Sequence, residues 1–148
     1  MPRSVEFEMT YQPGKLEAVS YTGGREVSRA VLETTGKAVQ IRLAADKTEL
    51  RADGHDLACV EMELVDAEGR VVPDAEIRLN AEVSGTGWLA GFGTANPITE
   101  EDYTDGETVS WRGRAMAVIR SGYESGEISL AVSADGLPGE SIRLRAEN

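Results

Sequence analysis

The stretch Gly85-Thr86-Gly87-Trp88-Leu89-Ala90-Gly91-Phe92-Gly93-Thr94-Ala95-Asn96-Pro97 decides how this chain folds. Its glycines lack a Cβ, so the backbone can approach other backbone closely or take positive φ. Alternation along an extended segment places Trp88, Ala90 and Phe92 on one face, and we expect this face in a core. The stretch therefore indicates a tight strand crossing at the end of a β-sandwich. A ligand-binding loop is the alternative, but no Gly-Lys-Ser/Thr follows to form a phosphate cradle.

Strand patterns flank this stretch on both sides. Apolar and polar residues alternate with period two in 60–64, 77–83 and 142–146, and large apolar residues alternate with serine and alanine in 128–132. Residues 115–119 are apolar at every position, which is typical of a central strand covered on both faces. No window of eleven or more residues shows a sustained helical period. Short strands separated by Gly, Asp and Pro turns predict an all-β protein with an immunoglobulin-like β-sandwich.

The N-terminal part of the chain carries further strand patterns, in 5–9, 16–21, 27–34 and 39–43. Gly23-Gly24 separates the second from the third and predicts a two-residue hairpin, because glycine tolerates positive φ. Residues 44–56 are more polar and show no periodicity. We therefore predict a domain boundary near Ala45.

Charge and composition exclude several classes of partner. The chain of 148 residues carries 26 acidic and 15 basic residues, a formal net charge of −11, which disfavours nucleic acid. Its apolar runs are too short to span a membrane, and residues 1–6 lack the apolar segment of a signal peptide. We expect a soluble protein, either cytoplasmic or secreted. Cys59, the only cysteine, excludes an internal disulfide and is expected to be a small packed side chain.

The residues capable of chemistry form no recognisable catalytic pattern. Carboxylates are numerous, but the sequence sets no pair of them in an apolar pocket, where burial would raise the pKa of one carboxyl group for acid catalysis. His55 lies in a turn-prone run without a placed nucleophile, so we expect a solvated loop residue. The acidic run 100–107 offers oxygen ligands for calcium but lacks the spacing of a calcium loop. The sequence thus predicts no catalytic residue, no metal and no cofactor.

The aromatic side chains are the remaining candidates for binding. Trp111, Tyr103 and Tyr123, together with Trp88, could form a platform for sugar rings. Aromatic residues make up only 5% of the chain, however, and those within strand patterns more often fill cores. Trp111, Tyr103 and Tyr123 are nevertheless the candidates for contact with sugar or with a neighbouring domain.

Several segments resemble one protein family, in order and over nearly the whole chain. They are 11–18, 32–36, 50–58, 65–73 and the stretch 85–97. Together they are similar to the C-terminal region of glycoside hydrolase family 2 β-galactosidases. One departure lies at Gly93-Thr94-Ala95-Asn96-Pro97, where the family usually has Gly-Asn-Gly-Asp-Pro, so contacts made by those family residues are not carried over.

The resemblance implies a fragment of a larger enzyme. Residues 1–45 match the C-terminal strands of a preceding, incomplete β-sandwich, and residues 46–148 match a terminal immunoglobulin-like domain. The catalytic glutamates of the family lie in a barrel that this chain lacks. The resemblance thus implies a non-catalytic accessory domain that packs against other domains of a parent glycosidase. Because residues 1–43 cannot close a core alone, we also expect self-association through them.

Two other functions stay open at this point. A carbohydrate-binding module would display coplanar exposed aromatic rings. A bacterial adhesion repeat is the other alternative, because Val65-Asp66-Ala67-Glu68-Gly69 followed by Val71-Val72-Pro73 also resembles invasin-type immunoglobulin-like repeats. A tandem second copy would favour this reading, and the sequence contains none.

Overall fold

The computed structural model describes residues 5–148, so the first four residues of the predicted N-terminal segment lie outside the described part. The chain divides into two compact units, Met1–Thr35 and Gly36–Asn148. The described residues form strands and turns without a helix, and hence without one that is long and apolar enough to cross a membrane. The all-β prediction is confirmed.

The first unit contains one antiparallel hairpin. Strand β1, Lys15–Thr22, pairs with β2, Arg25–Glu33. Gly23 and Gly24 connect them with φ values of 57° and 77°, which confirms the predicted Gly-Gly turn. Residues 5–9 form no strand, contrary to the prediction. Their alternation is real, but an extended segment becomes a strand only when a partner accepts its ladder of hydrogen bonds.

The hairpin builds no core of its own within the described residues. Its directly opposite pairs Leu16–Leu32 and Ala18–Ala30 share one face, and all four side chains are exposed. The other face carries charge, since Arg29 bridges Glu17 and Glu26. A two-stranded hairpin with one open apolar face is marginal in water.

The second unit is a sandwich of two sheets. One sheet has the order β4-β11-β10-β6-β8 and the other the order β3-β5-β9-β7. The strands of the first sheet are β4 Glu49–Arg51, β6 Arg78–Gly85, β8 Glu107–Val109, β10 Gly126–Ala134 and β11 Leu137–Glu147. Those of the second are β3 Gln40–Ala45, β5 Leu57–Val65, β7 Gly87–Gly93 and β9 Arg114–Ser121. The predicted immunoglobulin-like β-sandwich is confirmed.

Both sheets contribute their inner faces to one core. The four-stranded sheet supplies Ile41, Val60, Met62, Leu64, Phe92 and Ile119, and the five-stranded sheet supplies Leu79, Ile128, Leu130, Val132 and Leu144. Each of these side chains is almost fully removed from water. Burial of this apolar surface is the main favourable term in the stability of the unit.

The division between the units lies earlier than the predicted boundary near Ala45. Strand β3 pairs with β5 over its whole length, with Gln40 opposite Val65 at one end and Ala45 opposite Val60 at the other. Ile41 of β3 is 0% exposed in the core of the sandwich. The polar segment that follows β3 is not a linker either, because the Asp46 carboxylate accepts a hydrogen bond from Cys59 N. Residues 36–45 thus belong to the immunoglobulin-like unit.

The chain crosses from one sheet to the other at Gly85–Gly87, as the glycine pattern predicted. Gly85 has φ 93°, and a Cβ on it would overlap the carbonyl oxygen of Glu127. A Cβ on Gly87 would lie 2.7 Å from the carbonyl oxygen of Arg120. Neither position can hold a side chain, because backbone occupies the space on both sides of the crossing.

Beyond the crossing, a β-bulge breaks the predicted alternation. The register of β7 against β9 shifts between Leu89 and Gly91. Leu89 therefore packs against the core, whereas Trp88 is 43% exposed and Ala90 is exposed. Phe92 is 1% exposed, as expected. The prediction that Trp88 is buried is wrong, since one extra residue in a strand moves the side chains before it to the other face.

The carboxylate of Asp66 holds the start of the second unit in place through hydrogen bonds. Asp66 is the charged residue that is buried in the described part of the chain. Its oxygens accept hydrogen bonds from Gly36 N at 2.9 Å, Arg70 N at 2.9 Å and Arg70 Nε at 3.0 Å. Burial alone raises the pKa of Asp66, but these bonds outweigh it and lower the pKa to about 2, from 3.8.

Truncation tests the position of the unit boundary. A chain that begins at Gly36 retains β3 and should unfold cooperatively as a folded monomer. A chain that begins at Asp46 loses the burial of Ile41, which alone costs about 2 to 5 kcal/mol, together with the β3–β5 ladder. Chemical denaturation of both chains measures the difference. Equal unfolding free energies would show that β3 does not belong to the sandwich.

Acid should destabilise the second unit in a defined window. Because the pKa of Asp66 is lower in the folded than in the unfolded state, its stabilisation is complete above pH 3.8 and is lost as the pH falls towards about 2. We expect the melting temperature to fall over this window, and to fall less in Asp66→Asn, which should already be less stable at neutral pH. Calorimetry from pH 7 to pH 2 measures both effects. An unchanged pH dependence in the variant would contradict the assigned role of Asp66.

Candidate functional site

The second unit carries a groove of about 700 Å³ on the outer face of its four-stranded sheet. Strand β9 is central there, between β5 and β7, as its apolar sequence predicted. Its outer face is not covered within the described chain, because Met116 is 43% exposed and Val118 is half-buried. The groove is lined by Gly91, Gly93, Tyr103, Trp111, Met116 and Val118. Two of the three predicted aromatic residues thus meet in one place.

Tyr103 reaches the groove from the loop that follows β7. Its carbonyl oxygen accepts a hydrogen bond from Phe92 N at 2.7 Å, so the loop runs along the free edge of β7. Its ring lies over Gly93, where a Cβ would overlap ring carbons. Glu101 holds the same loop, because its carboxylate accepts bonds from Thr108 Oγ1 at 2.6 Å and Val109 N at 2.9 Å. Tyr103 is therefore positioned by backbone and carboxylate contacts on both sides.

The loop begins where the chain departs from the pattern it resembles. The Thr94 hydroxyl accepts a hydrogen bond from Asn96 N at 3.4 Å, and the Asn96 side-chain oxygen accepts one from Ile98 N at 3.1 Å. Local side-chain bonds of this kind stabilise turns without glycine. Thr94 and Ala95 thus form the rim of the groove in a turn of their own.

Trp111 reaches the groove from a tight hairpin turn before β9. Trp111 N donates to Arg114 O at 3.0 Å, and Arg114 N donates to Trp111 O at 3.1 Å. Arg112 and Gly113 form the corner with φ values of 52° and 70°. Turns with two positive φ values favour Asn-Gly or Gly-Gly, so arginine at the first corner position is strained. The Arg112 guanidinium lies 4.6 Å from the centre of the Trp111 ring, within the range of a cation–π contact.

The charged groups around the groove differ in their partners. Glu63 accepts hydrogen bonds from Arg42 at 2.6 Å and Arg114 at 2.9 Å, and the bond from Arg42 is the main cause of its lowered pKa. In contrast, the side chains of Glu61 and Arg112, which line the groove, make no hydrogen bond or ion pair with any residue in the described part of the chain. One unpaired charge of each sign therefore borders the groove.

Tyr123 lies outside the groove. Its ring covers Gly54, where a Cβ would overlap it, and meets the ring of His55 edge-on at 6.5 Å between centres. Arg120 joins this cluster, since its Nη2 lies 2.9 Å from His55 Nδ1 and its Nε donates to Gly54 O at 2.7 Å. Its guanidinium also lies 5.4 Å from the centre of the Trp88 ring. Tyr123 is 72% exposed.

The acidic loop uses much of its carboxylate oxygen within the protein. Besides Glu101, Asp102 accepts bonds from the amide and hydroxyl of Thr104, and Asp105 accepts one from Glu107 N. Over residues 5–148, no group of three or more His, Cys, Asp or Glu side chains is arranged to hold a metal ion.

The carboxyl groups whose pKa is shifted are all stabilised in their ionised form. Each described carboxyl group whose pKa departs from its ordinary value has a lowered pKa, namely Glu17, Asp53, Asp56, Glu63, Asp66 and Asp102. For Asp56 the hydrogen bond from Lys47 is the main cause, and its pKa is about 2. A glycosidase acid needs the opposite shift, which an apolar surrounding produces.

Sequence reasoning missed the contributions of Met116, Gly91 and Arg112 to the groove. The sequence pattern places Met116 in a covered strand and Gly91 in a strand crossing. The signal for the turn was present, since Trp111-Arg112-Gly113-Arg114 places Gly between two strand patterns. The pattern could not show that the turn projects Trp111 towards a loop from another strand.

Comparison with known proteins identifies the relatives of this chain. The model of the family described as glycoside hydrolase family 2 C-terminal domain 5 matches residues 41–143. The chain is 31% identical over 97% of its length to the β-galactosidase BoGH2A of Bacteroides ovatus, and this match covers 17% of that protein. A solved glycosyl hydrolase family 2 member from Bacteroides cellulosilyticus superimposes with a TM-score of 0.90 at 40% identity, over 93% of this chain and 18% of that one.

More distant structures share the fold. A β-glucuronidase from glycoside hydrolase family 2 superimposes with a TM-score of 0.85 at 25% identity, over 94% of this chain and 15% of that one. The D00-D0 domain of Intimin, at 16% identity and a TM-score of 0.55, shows a likeness of fold alone. The chain spans less than a fifth of the length of the family 2 proteins named here. With the family model matching more than half of its residues, the chain belongs to the glycoside hydrolase family 2 C-terminal domain 5 family.

Proposed function

We propose that this chain is a non-catalytic accessory region of a family 2 glycoside hydrolase, and that the parent enzyme is a β-galactosidase or a related glycosidase. The observation that carries the non-catalytic role is the state of its carboxylates. Asp66, the carboxylate most removed from water, is held ionised by its donors. A group of this kind fastens a turn and cannot deliver a proton to a leaving group near neutral pH.

The relatives are much longer than this chain, and their length supports the proposal that the chain is an accessory region. BoGH2A is named a β-galactosidase, and this chain matches 17% of it. A β-galactosidase of Thermoanaerobacter pseudethanolicus is 31% identical over 90% of this chain, which is 16% of that protein. More than four fifths of each relative therefore lies outside the matched region, which leaves ample chain for a separate catalytic domain.

The first unit is proposed as the end of a preceding β-sandwich. Its hairpin presents Leu16 and Leu32 on one open face, together with Ala18 and Ala30. A sheet buries such a face against a second layer. We propose that another domain of the parent enzyme supplies this layer, and that Tyr123, which is strongly exposed on the second unit, also contacts a neighbouring domain.

The isolated chain should hydrolyse no glycoside. Incubation of the purified protein with nitrophenyl β-galactoside and nitrophenyl β-glucuronide should give the rate of the buffer alone. A full-length family 2 enzyme assayed in parallel serves as the positive control. Turnover that disappears on substitution of a single Asp or Glu would overturn the non-catalytic assignment.

The isolated chain should also self-associate through its hairpin, because Leu16 and Leu32 on its apolar face are exposed among the described residues. Light scattering should give a mass above that of the monomer, and Leu32→Asp should shift it towards the monomer. Lys15→Gln, on the charged face of the same hairpin, is the matched control and should leave the mass unchanged. A monomeric chain at all concentrations would contradict this use of the hairpin.

A further inference from the structure

We propose that the groove lined by Tyr103 and Trp111 binds an uncharged saccharide. This binding role goes beyond the accessory function and does not depend on it. The groove has the size of a small-molecule site, since its volume of about 700 Å³ lies within the usual range of roughly 300 to 1,000 Å³.

The lining of the groove fits the apolar side of a sugar ring. Tyr103 and Trp111 offer aromatic surface, and Met116 and Val118 offer aliphatic surface. Gly91 contributes bare backbone, so the groove is open at this position. Pyranose rings present a face of C–H groups that packs on aromatic rings while the hydroxyl groups stay in contact with water. Aromatic residues with one apolar and one wet side suit such ligands.

The two unpaired charges at the groove favour a neutral ligand over a charged one. A sugar hydroxyl both donates and accepts hydrogen bonds, so hydroxyl groups can donate to the Glu61 carboxylate and accept from the Arg112 guanidinium. An acidic sugar would be attracted by Arg112 but repelled by Glu61 and by the formal net charge of −11 of the chain, so a neutral sugar is favoured. A protein surface that covered the groove would bury both charges, at a high cost in desolvation unless each met a partner.

The backbone of Arg112 gives an independent reason to assign a role to its side chain. Its φ of 52° lies in the left-handed region, and it is the only residue other than glycine with positive φ in the described chain. Asn or Gly would satisfy the same turn with less strain. Strain of this kind is concentrated at binding and catalytic sites. Here it places a guanidinium at the groove and over the Trp111 ring.

The experiment titrates the full chain with defined oligosaccharides by isothermal titration calorimetry and by NMR chemical-shift mapping. The probes are neutral oligosaccharides of galactose, glucose or xylose, with an oligogalacturonide as the acidic comparison. We expect at least one neutral probe to bind and to shift the resonances of Tyr103, Trp111 and Gly91. The acidic probe should bind more weakly by about tenfold or more.

Three variants separate the groove from the rest of the surface. Gly91→Leu fills the groove; Gly91 does not use the left-handed region, and a Cβ there meets only Tyr103 O at 3.8 Å, so the fold should accept it. It should weaken binding by about tenfold or more. Arg112→Asn should weaken binding several-fold while the melting temperature stays equal or rises. Tyr123→Ala, which removes an exposed aromatic outside the groove, should bind like the wild type.

Two outcomes of these titrations would overturn the proposed saccharide site. No binding of any neutral probe at millimolar concentration would overturn it, and so would binding that survives Gly91→Leu but is lost in Tyr123→Ala. A change in sedimentation of the chain caused by Gly91→Leu would instead assign the groove to a second copy. If Gly91→Leu does not fold, Arg112→Asn decides, because its turn suits asparagine: unchanged affinity in that variant would overturn the proposal.

Discussion

The second unit depends on the close approach of backbone at the crossing between its two sheets. Thr86 N donates to Glu127 O at 3.1 Å, and Gly122 N donates to Thr86 O at 2.7 Å. The crossing thus ties β6 to the start of β10 and β7 to the end of β9 within three residues. Any side chain at Gly85 or Gly87 would push these strands apart, because the space that it needs holds carbonyl oxygen. The alignment of the two inner faces follows from this one contact.

The same crossing determines where the groove forms. Since β7 enters the four-stranded sheet as its edge, the chain beyond Gly93 must return outside that edge, and it does so as the loop that carries Tyr103. The loop protects the edge from pairing with other chains by bonding to Phe92. It also raises an aromatic wall beside the outer face of β9. Edge protection and groove formation are therefore two consequences of one topology.

The sequence allowed the elements of the fold to be predicted where the signal was local. The Gly23-Gly24 hairpin and the glycine crossing are encoded by residues adjacent in sequence, and both were predicted. The exposure of Trp88 was not, because it depends on a bulge near Ala90 that only the pairing with β9 reveals. The boundary was misplaced for a similar reason. Asp46 has the composition of a linker residue, but its carboxylate bonds to β5, which lies elsewhere in the sequence.

The two open surfaces of the chain differ in chemistry, and this difference is the reason for proposing different partners for them. The open face of the hairpin is formed by leucine and alanine, and no unpaired charge lies among these residues. A protein layer can therefore cover this face without burying a polar group that lacks a hydrogen-bond partner. The groove joins apolar and aromatic surface to one unpaired carboxylate and one unpaired guanidinium. A dry contact would leave both charges without water, whereas a hydroxylated ligand keeps them solvated or hydrogen-bonded. An exposed apolar surface alone therefore does not identify a docking site for another protein. The polar groups at its border decide whether the contact can exclude water or must keep these groups hydrated or hydrogen-bonded.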